Sequence, residues 1–180
     1  MTDTPVVLEL KDGVARVTLE RPPLNLLRPD AIAALRDAFE ALARDPTVRV
    51  AVITGSGRAF TAGMDGRFLL TLDAAAAKPF IAGLHAAIHA VHEAPFPVIA
   101  ALNGHALGAG FELALACDLR VAAVGAVFGL PEVRVGVPSV IQAALLPPMI
   151  GSGRAAEMLL TGASITAATA LEWGLRSEEH

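Results

Sequence analysis

Short apolar runs rich in β-branched residues alternate along this chain with longer stretches of helical spacing, and that alternation restricts the fold more than any other feature. Val6 to Leu10 and Val14 to Glu20 flank Lys11-Asp12-Gly13, which predicts a hairpin turning on glycine. From Asp30 to Arg44 the residues Ile32, Leu35, Phe39 and Leu42 recur at intervals of three and four, predicting an amphipathic helix that Asp45-Pro46 ends. A strand over Arg49 to Thr54 follows, then a glycine-bearing loop from Gly55 to Phe68 and a mostly helical stretch from Leu72 to Glu93. Pro95 and Pro97 introduce another apolar strand, Val98 to Leu102. The turn Asn103-Gly104 leads to Gly108-Ala109-Gly110, a helix through Cys117, and short strands at Leu119 to Ala122 and Val127 to Gly129. From Ser139 onward the spacing is helical, with breaks at Pro147-Pro148, Gly151-Ser152-Gly153 and Gly162. Strands alternating with helices predict a layered α/β fold with parallel crossovers. With no repeat, low-complexity tract or linker, residues 1–180 read as a single domain.

Composition narrows the function classes. Apolar residues make up 54% of the chain and charged ones 18%, so it is a core-rich globular protein whose surplus apolar surface needs a pocket or a subunit interface to cover it. The uncharged stretch from Val135 to Ile150 is interrupted by Pro138, Pro147 and Pro148 and falls short of the roughly 20 apolar residues of a membrane span. A net charge of −4 with scattered cations removes the basic footprint of a nucleic-acid binder. One cysteine excludes an internal disulfide, and Met1 to Leu10 lacks a signal-peptide layout, so a reducing, cytoplasmic setting is expected. Tyrosine is absent and lysine occurs only at Lys11 and Lys78, which leaves carboxylates and histidines to carry chemistry.

The glycine-rich loops do not fit nucleotides. Gly55-Ser56-Gly57-Arg58 lacks the Gly-Lys-Ser/Thr ending of a phosphate loop, Leu113 stands where a dinucleotide fingerprint needs its third glycine, and no Gly-x-Ser-x-Gly elbow occurs. What the loops offer is backbone amide, at Ala62-Gly63-Met64 and at Gly108-Ala109-Gly110. These are either ordinary turns or a converging pair able to hold a carbonyl oxygen as it becomes an oxyanion. Glu112 is the lone charge in an apolar helix opening; it either turns to solvent or stays in a pocket with a raised pKa suited to proton transfer. Glu132, just past a short apolar strand, either caps the next turn or supplies a second carboxylate for acid–base work. His85, His89 and His92 have metal-compatible spacing, but no His-Glu-x-x-His pattern is present, and a polar helix face without metal is expected. His105 reads as a structural loop residue and Cys117 as a small buried one.

Taken in register, these segments resemble the crotonase, or enoyl-CoA hydratase/isomerase, superfamily. Arg21-Pro22-Pro23-Leu24-Asn25-Leu26-Leu27 is similar to its coenzyme-A loop and Ala59-Phe60-Thr61-Ala62-Gly63-Met64-Asp65 to its first oxyanion loop. Asn103 through Glu112, ending at Cys117-Asp118, resembles the second oxyanion loop, and Phe128-Gly129-Leu130-Pro131-Glu132 the segment with the other catalytic glutamate. The resemblance implies an α/β spiral of ββα/βαβ units, in which the amides of Met64 and Ala109 hold an acyl-CoA thioester carbonyl. It further implies that Glu112 and Glu132 act on one water, that Leu24, Leu26, Ala62 and Asp65 contact the coenzyme, and that no cofactor is needed beyond the coenzyme A of the substrate. The expected activity is enoyl-CoA hydration, with double-bond isomerisation or non-catalytic acyl-CoA binding and assembly as alternatives. Family members are typically trimer-based homo-oligomers. Ala109 stands where glycine is usual, Val135 to Gln142 lacks a glycine-rich run, and the chain ends at Gly174 to His180 where the family normally continues through a helical cover. That last departure leads us to expect a chain that either associates or is poorly soluble.

Overall fold

The computed structural model describes residues 4–176 and the backbone of 178–179. Ser177 and His180, within the chain end discussed above, lie outside the described residues. The hairpin forms as expected, with β1 (Val6–Lys11) antiparallel to β2 (Val14–Leu19), and β2 buries Ala15, Val17 and Leu19 on one face by its two-residue alternation. α1 (Pro29–Arg44) starts with proline in its first turn, places Asp30 at its positive end and Arg44 at its negative end, and buries Ala31, Ile32, Leu35, Phe39 and Leu42 as one stripe.

The chain then repeats one unit. β3 (Val50–Gly55) joins the sheet beside β2, β4 (Ala59–Thr61) starts a second sheet, and α2 (Gly66–Leu69) and α3 (Ala74–His92) return the chain. β5 (Val98–Leu102), β6 (His105–Leu107) and α4 (Ala109–Ala116) repeat the step, and β7 (Leu119–Ala122) with β8 (Val127–Gly129) begin a third. β3, β5 and β7 are parallel neighbours in the large sheet, and β4, β6 and β8 in the small one. This is the α/β spiral of ββα units that the sequence resemblance implied. After a 3₁₀ turn at Pro131–Val135 the chain continues through α5 (Leu146–Ile150), α6 (Ser152–Thr161), β9 (Ser164–Thr166) and α7 (Ala167–Glu172), and β10 (Glu178–Glu179) pairs with β7.

Three short strands, β4, β6 and β9, replace what reads as loop or helix in the sequence. Pro147-Pro148 does not break the chain but opens α5, because proline lacks only an amide that the first helical turn leaves unpaired anyway. α3 is long and apolar enough by length and composition to cross a membrane. It instead packs against α1, burying Phe80, Leu84, Ala87, Ile88 and Val91. α4 is buried on every side, which is why its sequence shows no polar stripe.

Candidate active site

The first of the two amides is aimed by a neighbouring loop. Asn25 sits buried at φ 49° and its Nδ2 donates to the carbonyls of Ser56, Ala59 and Phe60 at 2.9, 2.8 and 3.1 Å, while its Oδ1 accepts from the Arg21 amide at 2.9 Å. This pins the segment 21–28 alongside 62–65. Ala62 N–H donates to the Leu24 carbonyl at 2.9 Å, Leu27 N–H to the Gly63 carbonyl at 2.9 Å, and Asp65 N–H to the Leu27 carbonyl at 3.3 Å. Leu27 and Met64 are therefore bridge partners in a parallel pair, in which residue 27 bonds to the neighbours of Met64 and the Met64 N–H turns to the opposite side. Leu24, Leu26, Ala62 and Asp65 are all half-buried in these two adjoining segments. The Asp65 carboxylate is occupied in part as a cap, accepting from the Arg67 and Phe68 amides at 2.9 and 3.3 Å at the start of α2.

The second amide belongs to Ala109, the first residue of α4, whose N–H has no acceptor within its own helix. The two loops touch. A Cβ on Gly63, which has φ +85°, would lie 2.6 Å from the Leu107 carbonyl oxygen and 3.2 Å from the Ala109 nitrogen, so only glycine allows this approach. Gly63 thus lets the loop that carries Met64 lie against the loop that carries Ala109.

Both glutamates are buried, Glu112 to 2% exposure and Glu132 to 7%, so the solvent-facing alternative for Glu112 does not hold. Their environments differ. Glu112 Oε1 accepts from the amides of Ile141, Gln142 and Ala143 at 2.9, 2.8 and 3.1 Å. Burial pushes its pKa up, the Gln142 and Ile141 amides oppose the rise, the Glu132 charge adds to it, and the Ala143 amide opposes it. Glu132 lies within the 3₁₀ turn, and neither carboxyl oxygen receives a hydrogen bond among the described residues. Burial again raises its pKa; its own amide and the Ser139 hydroxyl lie near enough only to temper the effect. A Cβ on Gly108 would come within 2.9 Å of Glu132 Oε1, which places that carboxylate against the loop that carries Ala109.

These groups border an open cavity of about 360 Å³ whose wall includes Met64, Ala109 and Glu132, with Leu69, Val135 and Val137 supplying apolar surface. Glu112 is not part of that wall. The arrangement offers two adjoining loops that carry Met64 and Ala109, one carboxyl on the wall and a second carboxyl fixed by three donors. It suits a reaction in which a carbonyl oxygen gains charge while protons move nearby.

Two residues escaped assignment in the sequence. Asn25 is one; the other is Asn103, whose Oδ1 accepts from the Gly55 amide at 3.2 Å and whose Nδ2 donates to the carbonyls of Gly57 and Ala59 at 2.9 and 3.2 Å. Their signal was an amide side chain in each loop motif, at Leu24-Asn25-Leu26 and Leu102-Asn103-Gly104. The histidine row is engaged otherwise: His85 and His89 stack with centroids 5.6 Å apart, and His92 Nδ1 lies 3.2 Å from the Ala116 carbonyl. His105 lies in β6 rather than in a loop. Cys117 is buried and its thiol is pushed up to about 12, mainly by burial.

The family model for enoyl-CoA hydratase/isomerase matches residues 9–178. Crotonyl-CoA hydratase of Syntrophomonas wolfei is 39% identical over 173 residues, covering 94% of this chain and 66% of that protein. (E)-benzylidenesuccinyl-CoA hydratase of Thauera aromatica is 40% identical over 185 residues, covering 97% of this chain and 69% of its own. Among solved structures, an enoyl-CoA hydratase from Bacillus anthracis superimposes with a TM-score of 0.94 at 32% identity, over 98% of this chain and 70% of that one. The chain spans about two thirds of the length of the curated relatives it matches. Match over nearly the whole chain, in sequence and in three dimensions, establishes that the chain belongs to the enoyl-CoA hydratase/isomerase family.

Proposed function

We propose that the protein adds water across the 2,3 double bond of an enoyl-CoA thioester. The observation that carries this reading is the buried Glu132 carboxyl, whose oxygens receive no hydrogen bond among the described residues, on the wall of a cavity that Met64 and Ala109 also line. The thioester oxygen accepts from the Met64 and Ala109 amides. As a water oxygen bonds to C3, charge moves through C2 and the carbonyl carbon onto that oxygen, where each preorganised donor is worth about 3 kcal/mol in the transition state. Glu112, whose three amide donors offset part of the rise that burial imposes on its pKa, accepts the proton from water. Glu132, without such donors, holds a proton more readily and delivers it to C2. The sum is one water added, and a proton returns from Glu112 to Glu132 through solvent.

In this reading the coenzyme lies along Leu24, Leu26, Ala62 and Asp65 and is part of the substrate, with no separate cofactor. The names of the Syntrophomonas and Thauera relatives agree in reaction class. Strongly exposed Leu70, Val124 and Leu160 fit association between copies of the chain. One observation favours a second reading: Glu132 lines the cavity and Glu112 does not, as a double-bond isomerase with one proton-carrying carboxylate would require. Product analysis separates these. A 3-hydroxyacyl-CoA formed from a 2-enoyl-CoA supports hydration, a 2-enoyl-CoA formed from a 3-enoyl-CoA without net water uptake supports isomerisation, and binding without turnover contradicts both.

A further inference from the structure

Thr61, the last residue of β4, is fully buried and meets both of the segments that carry Met64 and Ala109 to the cavity wall. Its Oγ1 accepts from the Gly63 N–H at 3.1 Å. Its carbonyl oxygen and its methyl carbon lie against Gly110, where a Cβ would come within 2.4 Å of the first and 2.7 Å of the second. Gly110 follows Ala109 in the first turn of α4. Thr61 is itself fixed by its place in the small sheet, where it pairs with Ala106 of β6.

Gly63 is held at both ends. Thr61 takes its N–H, and the Leu27 N–H donates to its carbonyl at 2.9 Å. That carbonyl and the Met64 N–H belong to one planar trans peptide, on which they point in opposite directions. The direction of the Met64 N–H therefore depends on the backbone rotation at Gly63, a residue at φ +85° with no side chain to restrict it. A hydroxyl that bonds the amide two residues on is a common turn device in exposed loops. Here it is buried, and the residue that supplies it also abuts the start of α4. We propose that Thr61 is a positioning residue whose hydroxyl fixes the rotation at Gly63 and so aims the Met64 N–H at the thioester oxygen. This deepens the hydratase reading and rests on it for the oxygen that the amide meets.

The test uses Thr61→Ser, which keeps the hydroxyl, Thr61→Val, which keeps the methyl, and Thr61→Ala, which removes both without adding an atom. Urea unfolding checks that each variant folds. With a 2-enoyl-CoA, both hydroxyl-free variants should lose about tenfold in kcat with KM changed less than about twofold, because a donor aimed at developing charge acts mainly in the transition state. Thr61→Ser should recover most of the wild-type kcat. In parallel, infrared difference spectra of a bound saturated acyl-CoA thioester, isotopically labelled at its carbonyl, read hydrogen bonding at that oxygen without turnover. Wild type and Thr61→Ser should lower the carbonyl stretch below that of the free thioester, and the hydroxyl-free variants should return it toward the free value. Where both of those variants fold, Thr61→Ala governs, since it crowds nothing. Unchanged kcat without the hydroxyl, a loss expressed in KM, a Thr61→Ser variant as impaired as Thr61→Ala, or a stretch that ignores the hydroxyl overturns the proposal. Loss of the native transition in both hydroxyl-free variants also overturns it, since Thr61 would then act in folding. If wild type does not turn over, the hydratase reading fails. The infrared shift then decides this proposal by itself, upheld by a wild-type lowering that Thr61→Ala removes and overturned by its absence.

Discussion

Replacing Asn25 isolates what aims the Met64 amide. Its Nδ2 serves three buried or partly buried carbonyls, one on the β3–β4 connection and two in β4, and Asn25→Ala leaves them without that donor. Each buried acceptor left unsatisfied costs about 1–3 kcal/mol, and two hydrogens are shared among the three, so Asn25→Ala should lose about 2–4 kcal/mol. Asn25→Asp is the sharper probe, because aspartate tolerates the positive φ of 49° and keeps the shape but faces the same carbonyls as an anion. Its folded pKa must rise above the unfolded value of about 3.9, since burial and carbonyl dipoles both disfavour the charge. The added penalty is therefore absent below that unfolded value. It grows as pH rises and levels off above the folded pKa. Urea unfolding should find Asn25→Asp no worse than Asn25→Ala near pH 4 and less stable by about 1 kcal/mol or more near pH 7.5. Both variants should also lose turnover, by about a hundredfold if the Met64 amide moves by about 1 Å. Asn25→Asp within about 0.5 kcal/mol of wild type near pH 7.5 would refute the reasoning, since that is the ordinary scatter of a neutral surface change.

Further outcomes follow from the same geometry. Gly63→Ala combines a disfavoured φ of +85° with a backbone collision at the Leu107 carbonyl, so it should lower stability by about 2 kcal/mol or more and turnover disproportionately; unchanged turnover by initial-rate assay would contradict the convergence of the two loops. Glu132 has a folded pKa above its unfolded value, so it weakens the fold as pH rises through that window. Glu132→Gln should then be more stable than wild type near pH 7.5, with the gap closing as pH falls toward 4, and denaturant curves showing the reverse trend would count against a buried carboxyl whose pKa burial raises. Cys117, with its thiol pushed up to about 12 and its side chain buried, should resist thiol-specific labelling at pH 8 until denaturant unfolds the chain; rapid labelling of the native protein would show the site to be open.

Much of the fold could be read from residues because its large elements carry periodic signals. The hairpin, α1 and the strands Val98–Leu102 and Leu119–Ala122 follow from alternation or helical spacing bounded by proline and glycine. The strands β4, β6 and β9 have three residues each, too few for a period, and they form only because the chain folds back to bring them edge to edge. At the site, Glu112 and Glu132 stand out as charges in apolar surroundings. The amides of Met64 and Ala109 have no side-chain signature, so their pairing came from the family resemblance. Asn25 and Asn103 were hidden because the carbonyls their Nδ2 groups serve lie more than 30 positions away in sequence, as in the Asn25–Ala59 separation of 34 and the Asn103–Gly57 separation of 46. The grip of residues 141–143 on Glu112 was equally invisible, since it uses backbone N–H groups from a segment without recognisable glycine pattern.

In the proposed reaction two buried carboxyls, Glu112 and Glu132, move the protons of a hydration beside the loops that carry Met64 and Ala109. The most direct measurement is the initial rate of 2-enoyl-CoA absorbance loss for the wild-type protein, Glu112→Gln and Glu132→Gln, on samples shown by unfolding to be native. Wild type should hydrate the substrate measurably, and each substitution should lower kcat about a thousandfold, as removal of a proton-transferring group requires. Wild-type rates that survive either substitution would contradict it.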